Sequence, residues 1–239
     1  MGAIIGSGYA QMLDPDEMQQ LTNKLSKFKP FSGYDLPVFS LYQDKNIEKI
    51  YQHLFGKQHI EDLWLPFTCV SADITTNSLV IHDRGLLKKW IKASTAIPGL
   101  LPPVIDRKHV YVDGGILDNL PVDVLNKQGS NYIIAINVSF LQPMFSHWNY
   151  PNTISGWHYL LNKLLPIQTS DAPSIMNIIS RSFLASSMQK TLNSMEKANL
   201  CIKPPVAEIG LFDFDSADKI IEIGYSYTCQ LIEEQLKSN

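Results

Sequence analysis

The chain has 239 residues, of which 45% are hydrophobic and 18% are charged, and its formal net charge is −3. This composition is typical of a globular protein with a hydrophobic core, and the charge balance argues against a general nucleic-acid-binding protein. Three scattered cysteines do not suit a disulfide framework, so we expect a reducing, intracellular compartment.

The sequence contains no candidate membrane span. No apolar run reaches the roughly eighteen residues that a transmembrane helix needs, and we recognise no signal peptide at the start of the chain. We therefore expect any membrane contact to be peripheral, or to be made by sequence outside these residues. Since no repeat, linker or sharp change in composition divides the chain, we expect a single domain over 1–239.

The first third of the chain carries two helix signals. The opening MGAIIGSGYAQM is small and apolar with three glycines, which indicates a tightly packed element rather than a free chain end. Residues 14–29 begin with Asp14 as N-cap and Pro15 in the first turn, and this pattern predicts a helix. The segment NIEKIYQHLFG predicts an amphipathic helix that is closed by Gly56.

The middle of the chain alternates between strand and helix patterns. LPFTCVSADI and NSLVIHDRG, separated by a Thr-Thr-Asn turn, predict adjacent strands. LLKKWIKASTAI predicts a helix that Pro98 and Gly99 stop. HVYVDGG then reads as a short strand, NLPVDVLNKQG as a helix, and NYIIAINVSF as a strand that is buried on both faces. This order predicts an α/β protein with a parallel sheet and covering helices.

The last part of the chain predicts a helix over 173–198, a short strand near NLCIKPPV and a closing helix from about Ser216. An aromatic cluster precedes them at 145–159. We interpret this cluster as core packing, with the lining of an apolar channel or contact with a membrane interface as the alternative.

Asp113 is the main candidate for chemistry. It ends the predicted strand HVYVD, and ligand sites in parallel sheets lie at the carboxyl ends of strands. Gly114 and Gly115 permit a sharp turn with positive φ, which would leave the carboxylate at the rim of the sheet as a general base. The alternative is that Asp113 only caps a turn, because Asp-Gly is a common turn dipeptide.

Several motifs together resemble the patatin-like phospholipase family, and its neuropathy target esterase branch in particular. They are Ala93-Ser94, Ala96-Ile97-Pro98, Leu101-Pro102-Pro103, Asp113-Gly114-Gly115 and Asn119-Leu120-Pro121, and the likeness runs from residue 1 to about 228. It implies a three-layer α/β/α fold with a central, mostly parallel sheet. The present sequence would be N-terminally incomplete, lacking the first strand and the nucleophile elbow.

The resemblance also implies an activity. Family members hydrolyse lipid acyl esters with a Ser-Asp dyad, in which the serine of Gly-x-Ser-x-Gly is the nucleophile. Asp113 would be the base of that dyad, with Gly114 and Gly115 in its motif. An upstream glycine-rich loop would donate N–H groups to the oxyanion. Substrates would be phospholipids or lysophospholipids, and no cofactor, metal or nucleic acid is implied.

The opening MGA matches the end of the family's elbow, Gly-Thr-Ser-Met-Gly-Ala. The nucleophile would therefore be the residue immediately before Met1, and we expect residues 1–239 alone to be inactive. Ser7 does not replace it, because a Gly-x-Ser-x-Gly motif would need glycine at Ile5 and Tyr9.

The remaining polar candidates have structural interpretations. We expect Asp73 to order a turn, Ser71 and Ser94 to pack or cap, and Asp118 and Asn119 to hold a loop and cap the next helix. The six histidines show no metal-ligand spacing.

Three interpretations of the whole sequence stay open. The 239 residues belong to a complete serine lipid hydrolase, they form a catalytically silent lipid- or protein-binding remnant, or they form an unrelated α/β domain whose likeness is accidental. The order and spacing of the matching segments favour the first.

Overall fold

The computed structural model describes residues 2–20, 45–139, 175–206 and 216–238, and within them helices alternate with short strands. Residues 15–20 are helical, and two 3₁₀ turns lie at Ile60–Asp62 and Gly114–Ile116. The helices are α1 (Gly2–Ala10), α2 (Lys45–Phe55), α3 (Leu87–Ser94), α4 (Val122–Lys127), α5 (Ile175–Lys197) and α6 (Ala217–Ser238). The strands are β1 (Cys69–Asp73), β2 (Ser78–His82), β3 (Val104–Asp106), β4 (His109–Asp113), β5 (Ile134–Ile136) and β6 (Leu200–Ile202).

Local signals explain where several helices begin and end. The Asp14 carboxylate accepts a hydrogen bond of 2.8 Å from the Asp16 N–H, as expected of a residue at a helix start. Helix α2 is followed by Gly56 at a φ of 50°, a left-handed conformation that favours glycine. Helix α3 ends at Ser94, four residues before Pro98. The helices predicted over 119–129, over 173–198 and from about Ser216 are confirmed as α4, α5 and α6.

Four strands form one sheet in the order β2-β1-β4-β3, and every pairing in it is antiparallel. The predicted hairpin is confirmed, because β1 and β2 pair along their length with Cys69 opposite His82. On its other side β1 pairs with β4, and this pairing sets Ser71 opposite Asp113. The sheet therefore fixes the position of Asp113 through a neighbour that is itself paired on both sides.

The α/β class is confirmed, but the predominance of parallel pairing is not seen in the described strands. Only β5 and β6 pair in parallel among them. Chain connectivity gives the reason for two of the three antiparallel pairings, β1 with β2 and β3 with β4. Residues 74–77 join β1 to β2, and residues 107–108 join β3 to β4. Connections this short can join antiparallel strands, whereas parallel strands need a crossover of a dozen or more residues.

The prediction that NYIIAINVSF is buried on both faces is wrong for the described residues. Side chains alternate along β5, so Ile133 and Ala135 are buried at 2% and 3% exposure. The opposite face carries Tyr132, Ile134 and Ile136, which are 54% to 60% exposed. The strand therefore has one buried and one exposed face. Both faces carry apolar residues, so the sequence alone does not distinguish them.

Two apolar clusters hold the elements together. The larger joins α2, β1 and α3, where Leu87 and Ile91 have 0% exposure. Ala3 and Ile4 of α1 pack against this cluster. The smaller cluster joins the start of α4 to β5, and Met195 of α5 packs against it. None of the described helices combines the length and the apolar character that crossing a bilayer requires.

Candidate active site

Asp113 is the last residue of β4, where the sequence predicted it. Its N–H donates a hydrogen bond of 2.9 Å to the Ala96 carbonyl, and its Oδ1 accepts one of 2.8 Å from the Gly115 N–H. The carboxylate therefore caps the 3₁₀ turn Gly114–Ile116, as the alternative interpretation expected. It also stands at the carboxyl end of its strand, so the two interpretations describe the same carboxylate.

The glycines after Asp113 are required by space and not by backbone angle. The expectation of positive φ is wrong, since neither Gly114 nor Gly115 is among the residues with positive φ. A Cβ on Gly114 would lie 2.7 Å from the Val70 carbonyl oxygen. A Cβ on Gly115 would lie 3.0 Å from both Asn119 Oδ1 and Phe183 of α5. The turn is therefore confined between β1 and α5: a Cβ at Gly114 would collide with backbone, and one at Gly115 would require the Asn119 and Phe183 side chains to shift.

The surroundings of Asp113 change its acidity. The residue keeps partial contact with solvent, but the protein atoms packed around the carboxyl desolvate it and raise its pKa. The hydrogen bond from the Gly115 N–H acts in the opposite direction and lowers the pKa. Burial is the largest of these causes, so the net pKa lies above the ordinary value. A carboxylate with a raised pKa is a better proton acceptor.

Helix α1 packs close to β1, the strand that pairs with the one ending at Asp113. Ala3 and Ile4 pack in the same cluster as Cys69, whose neighbour Val70 contacts Gly114. Ser7 is fully buried, and its hydroxyl donates a hydrogen bond of 2.8 Å to the Ile4 carbonyl within the helix. This internal hydrogen bond gives Ser7 a structural role.

A buried serine–histidine pair lies beside Asp113, and its histidine was not predicted from the sequence. Ser71 Oγ and His82 Nε2 are 2.7 Å apart, and both residues are buried. Trp90 stacks on His82 with ring centroids 3.9 Å apart. Burial is the main cause that lowers the pKa of His82 to about 4, assisted by the charge of Lys89 and opposed by that of Asp83. Alternation along SLVIH groups His82 with Ser78 and Val80, opposite Leu79 and Ile81, so the local pattern did not mark His82 as buried.

Asp73 orders the turn after β1, as predicted. Its carboxylate accepts hydrogen bonds from the Thr75 N–H at 2.9 Å and the Thr76 hydroxyl at 2.8 Å, and it lies 2.6 Å from His109 Nδ1. Desolvation raises the pKa of Asp73, but the hydrogen bonds together outweigh it and hold the pKa well below its usual range. Because His109 begins β4 and Asp113 ends it, this group belongs to the opposite end of the strand.

The loop after the Asp113 turn is held by side chains, but these do not cap α4. The N-cap of α4 is Pro121, which has no side-chain capping bond, so that part of the prediction is wrong. Asn119 Nδ2 instead donates a hydrogen bond of 2.6 Å to Ser139 beyond β5. Asp118 is buried beside Lys190, whose Nζ lies 2.9 Å from its Oδ2. The loop-holding role expected of Asp118 and Asn119 therefore matches these contacts.

Two other predictions concern different parts of the chain. The aromatic cluster at 145–159 lies outside the described residues. Within the described residues, no three His, Cys, Asp or Glu side chains come together as metal ligands would.

Ser94 is the last residue of α3 and is half-buried, with its position set by the helix end.

Comparison with known proteins decides the family. The family model of the patatin-like phospholipases matches residues 1–126, more than half of the chain and including the Asp113 turn. The chain belongs to the patatin-like phospholipase family.

Similar proteins within the family are much longer than this chain. Lysophospholipase NTE1 of Meyerozyma guilliermondii is 31% identical over 238 residues, which cover 97% of this chain and 16% of that protein. Patatin-like phospholipase domain-containing protein 6 of Homo sapiens is 30% identical over 95% of this chain and 17% of its own length. Neuropathy target esterase sws of Drosophila melanogaster is 29% identical over 100% of this chain and 17% of its own length. The chain spans about a sixth of the length of these curated relatives.

Substitution of Gly114 by alanine tests the confinement of this patatin-like turn. The added Cβ would meet the Val70 carbonyl, so we expect a loss of about 1–3 kcal/mol in the free energy of unfolding. Gly224→Ala in α6 is the matched control. A Cβ there meets nothing within 4 Å, and alanine in a helix should raise stability by about 0.5–1 kcal/mol. Urea unfolding of both variants measures the difference, and equal effects would contradict the confinement.

His82 should make stability depend on pH. Its pKa of about 4 in the folded state lies below the ordinary value, so the unfolded chain takes up the proton first as pH falls. Stability is complete above about pH 6.5 and is lost progressively toward pH 4. His82→Gln, which does not titrate, should flatten this part of a plot of Tm against pH, relative to its own value at pH 8. An unchanged slope would remove His82 as the cause.

Proposed function

We propose that the full-length protein is a serine lipid acyl hydrolase in which Asp113 is the general base of a Ser-Asp dyad. The substrates would be phospholipids or lysophospholipids, because the matching family model is that of the patatin-like phospholipases and relatives such as the protein of Meyerozyma guilliermondii are named lysophospholipases. No cofactor takes part in this chemistry. Contact with the lipid surface would be peripheral or made by other parts of the protein.

The observation that carries the proposal is the state of the Asp113 carboxylate. Oδ1 is held by the Gly115 N–H, and Oδ2 has no hydrogen-bond partner among the described residues. One oxygen is therefore fixed, while no described residue donates a hydrogen bond to the other, which can accept a proton. Burial raises the pKa of the carboxyl and so increases its basicity. Both properties support the role of a base that is positioned before substrate arrives.

The dyad would act in two half-reactions. Asp113 takes the proton of the serine hydroxyl while the serine oxygen attacks the ester carbonyl. The tetrahedral intermediate then expels the alcohol, which recovers the proton from Asp113 and leaves an acyl-serine. Water, deprotonated by Asp113, attacks the acyl-serine in the same way, and the serine oxygen recovers the proton as the fatty acid leaves. Backbone N–H groups of a glycine-rich loop would stabilise the oxyanion in both steps.

The nucleophile in this proposal is the residue immediately before Met1. Helix α1 begins at Gly2, so a serine at that position would stand at the positive end of the helix dipole. Ala3 and Ile4 of that helix pack in the cluster that contains Cys69 of β1, and β1 also pairs with β4, so α1 and Asp113 border the same strand. Ser71 lies opposite Asp113 in the sheet, but its hydroxyl already has a partner in His82. Residues 1–239 by themselves would then have no serine-dependent turnover.

A catalytically silent binding module is the second candidate, and one observation favours it. The outer face of β5 presents Tyr132, Ile134, Ile136 and Val138, which are all more than half exposed. An apolar row of this kind suits contact with a lipid or a protein. The two candidates differ in one measurable respect, because only the hydrolase needs the Asp113 carboxylate for turnover.

Asp113→Asn in the full-length protein separates the candidates. The amide has nearly the same size but does not accept a proton, so we expect lysophospholipid hydrolysis to fall at least about 10²-fold with an unchanged Tm. Asp83→Asn, which changes an exposed carboxylate after β2, is the control and should hydrolyse like the wild type. Retained turnover in a folded Asp113→Asn protein would remove Asp113 from the mechanism.

A further inference from the structure

Helix α5 contacts the Asp113 turn through three residues on one face. The Phe183 ring lies against Gly115, where a Cβ would meet it at 3.0 Å. The Ser186 hydroxyl donates a hydrogen bond of 3.0 Å to the Ile116 carbonyl. Lys190 reaches Asp118, with 2.9 Å between Nζ and Oδ2. The spacing of three and four residues places all three side chains on the same side of the helix.

Asp118 is an unusual residue for this position. Its side chain is 1% exposed, and neither carboxylate oxygen has a hydrogen-bond partner among the described residues. The Lys190 ammonium is close to Oδ2, but the atoms do not meet at hydrogen-bonding angles. At 2.9 Å the opposite charges still attract strongly. A buried carboxylate is strongly disfavoured unless an opposite charge compensates it, so Asp118 depends on Lys190.

Asp118 is linked directly to the turn that carries the catalytic carboxylate. Its N–H donates a hydrogen bond of 2.9 Å to the Gly114 carbonyl. Gly114 in turn follows Asp113 and lies against the Val70 carbonyl. A displacement of Asp118 would therefore be passed through one hydrogen bond to the residue next to Asp113, because β1 leaves the turn no space to adjust on the other side.

We propose that Lys190 and Asp118 are a positioning pair for Asp113. Lys190 compensates the buried charge of Asp118, and Asp118 holds the Gly114–Ile116 turn in the geometry that aims Asp113 at the nucleophile. The pair touches neither substrate nor the reacting atoms. This inference rests on the proposed function, since it assigns Asp113 the role of base.

The chain offers a matched control on the same helix. Lys197 pairs with Asp123 at 2.7 Å, and its side chain is 50% exposed and that of Asp123 36%. Exposed ion pairs of this kind contribute little to stability. Lys190→Met and Lys197→Met therefore make the same chemical change on α5, and they differ in whether a buried carboxylate is left without its counter-charge.

The experiment measures kcat, KM and Tm for lysophospholipid hydrolysis by the full-length protein and its variants. Lys190→Met should lower kcat about tenfold to a hundredfold with little change in KM, because a small misplacement of a catalytic group is costly in rate. Lys190→Arg, which keeps the charge, should retain most of the turnover. Asp118→Asn combined with Lys190→Met removes both charges and should recover turnover relative to Lys190→Met alone. Lys197→Met should match the wild type.

The outcomes separate this inference from the proposal on which it rests. If Asp113→Asn abolishes turnover while Lys190→Met has the same kcat as Lys197→Met, the positioning pair is wrong and the dyad stands. If Asp113→Asn remains active, the dyad is wrong. If Lys190→Met lowers Tm, and the double variant restores the wild-type Tm but not the wild-type kcat, the pair has only a structural role and the inference fails. If Lys190→Met does not fold, Lys190→Arg and the double variant still test the inference. The positioning pair is wrong if both of these variants fold but neither hydrolyses lysophospholipid.

Discussion

The close approach of Gly114 to the Val70 carbonyl is the constraint on which the site depends. A Cβ at Gly114 would lie 2.7 Å from that oxygen, so the turn after β4 is pressed against the backbone of β1. Because β1 is paired with β2 on one side and with β4 on the other, its backbone does not yield easily. Asp113 is therefore positioned by the sheet itself, and its carboxylate needs one hydrogen bond, from Gly115, to be held.

The opposite side of the turn is closed by an element distant in sequence. Helix α5 begins more than sixty residues after Asp113, yet Phe183, Ser186 and Lys190 all contact residues 115–118. The turn is thus held by packing on one side and by both packing and charge on the other. This arrangement suits a base, since a general base must keep its geometry while its charge changes during each cycle. The buried His82, stacked on Trp90, stiffens the hairpin behind it.

Short-range signals in the sequence predicted much of this structure. The turn residues around β1 and β2, the cap at Asp14 and the strand before Asp113 were all readable because they depend on neighbouring residues. The motifs around Asp113 also identified the family, which residues 1–126 confirm. The function of the two glycines was misread, because positive φ is the usual reason for glycine in a turn, and the need for space appears only when β1 is in place.

Long-range contacts account for the remaining errors. The exposed face of β5 looks identical in sequence to its buried face, since Ile133 and Ile134 differ only in which way they point. Nothing local marks Lys190 as the partner of Asp118, because 72 residues separate them and lysine on a helix is ordinarily solvated. The antiparallel pairing of β1 with β4 likewise joins segments that are distant in sequence. These features depend on topology, which composition and periodicity do not encode.

The most direct test of the central claim is the site of covalent labelling by a fluorophosphonate in the full-length protein. Such probes react with an activated serine hydroxyl, and peptide mapping by mass spectrometry identifies the residue. If Asp113 forms a dyad with a serine immediately before Met1, a single adduct should form on that serine, and Asp113→Asn should carry none. An adduct on Ser7, Ser71 or another serine, or ester hydrolysis with no adduct at all, would contradict it.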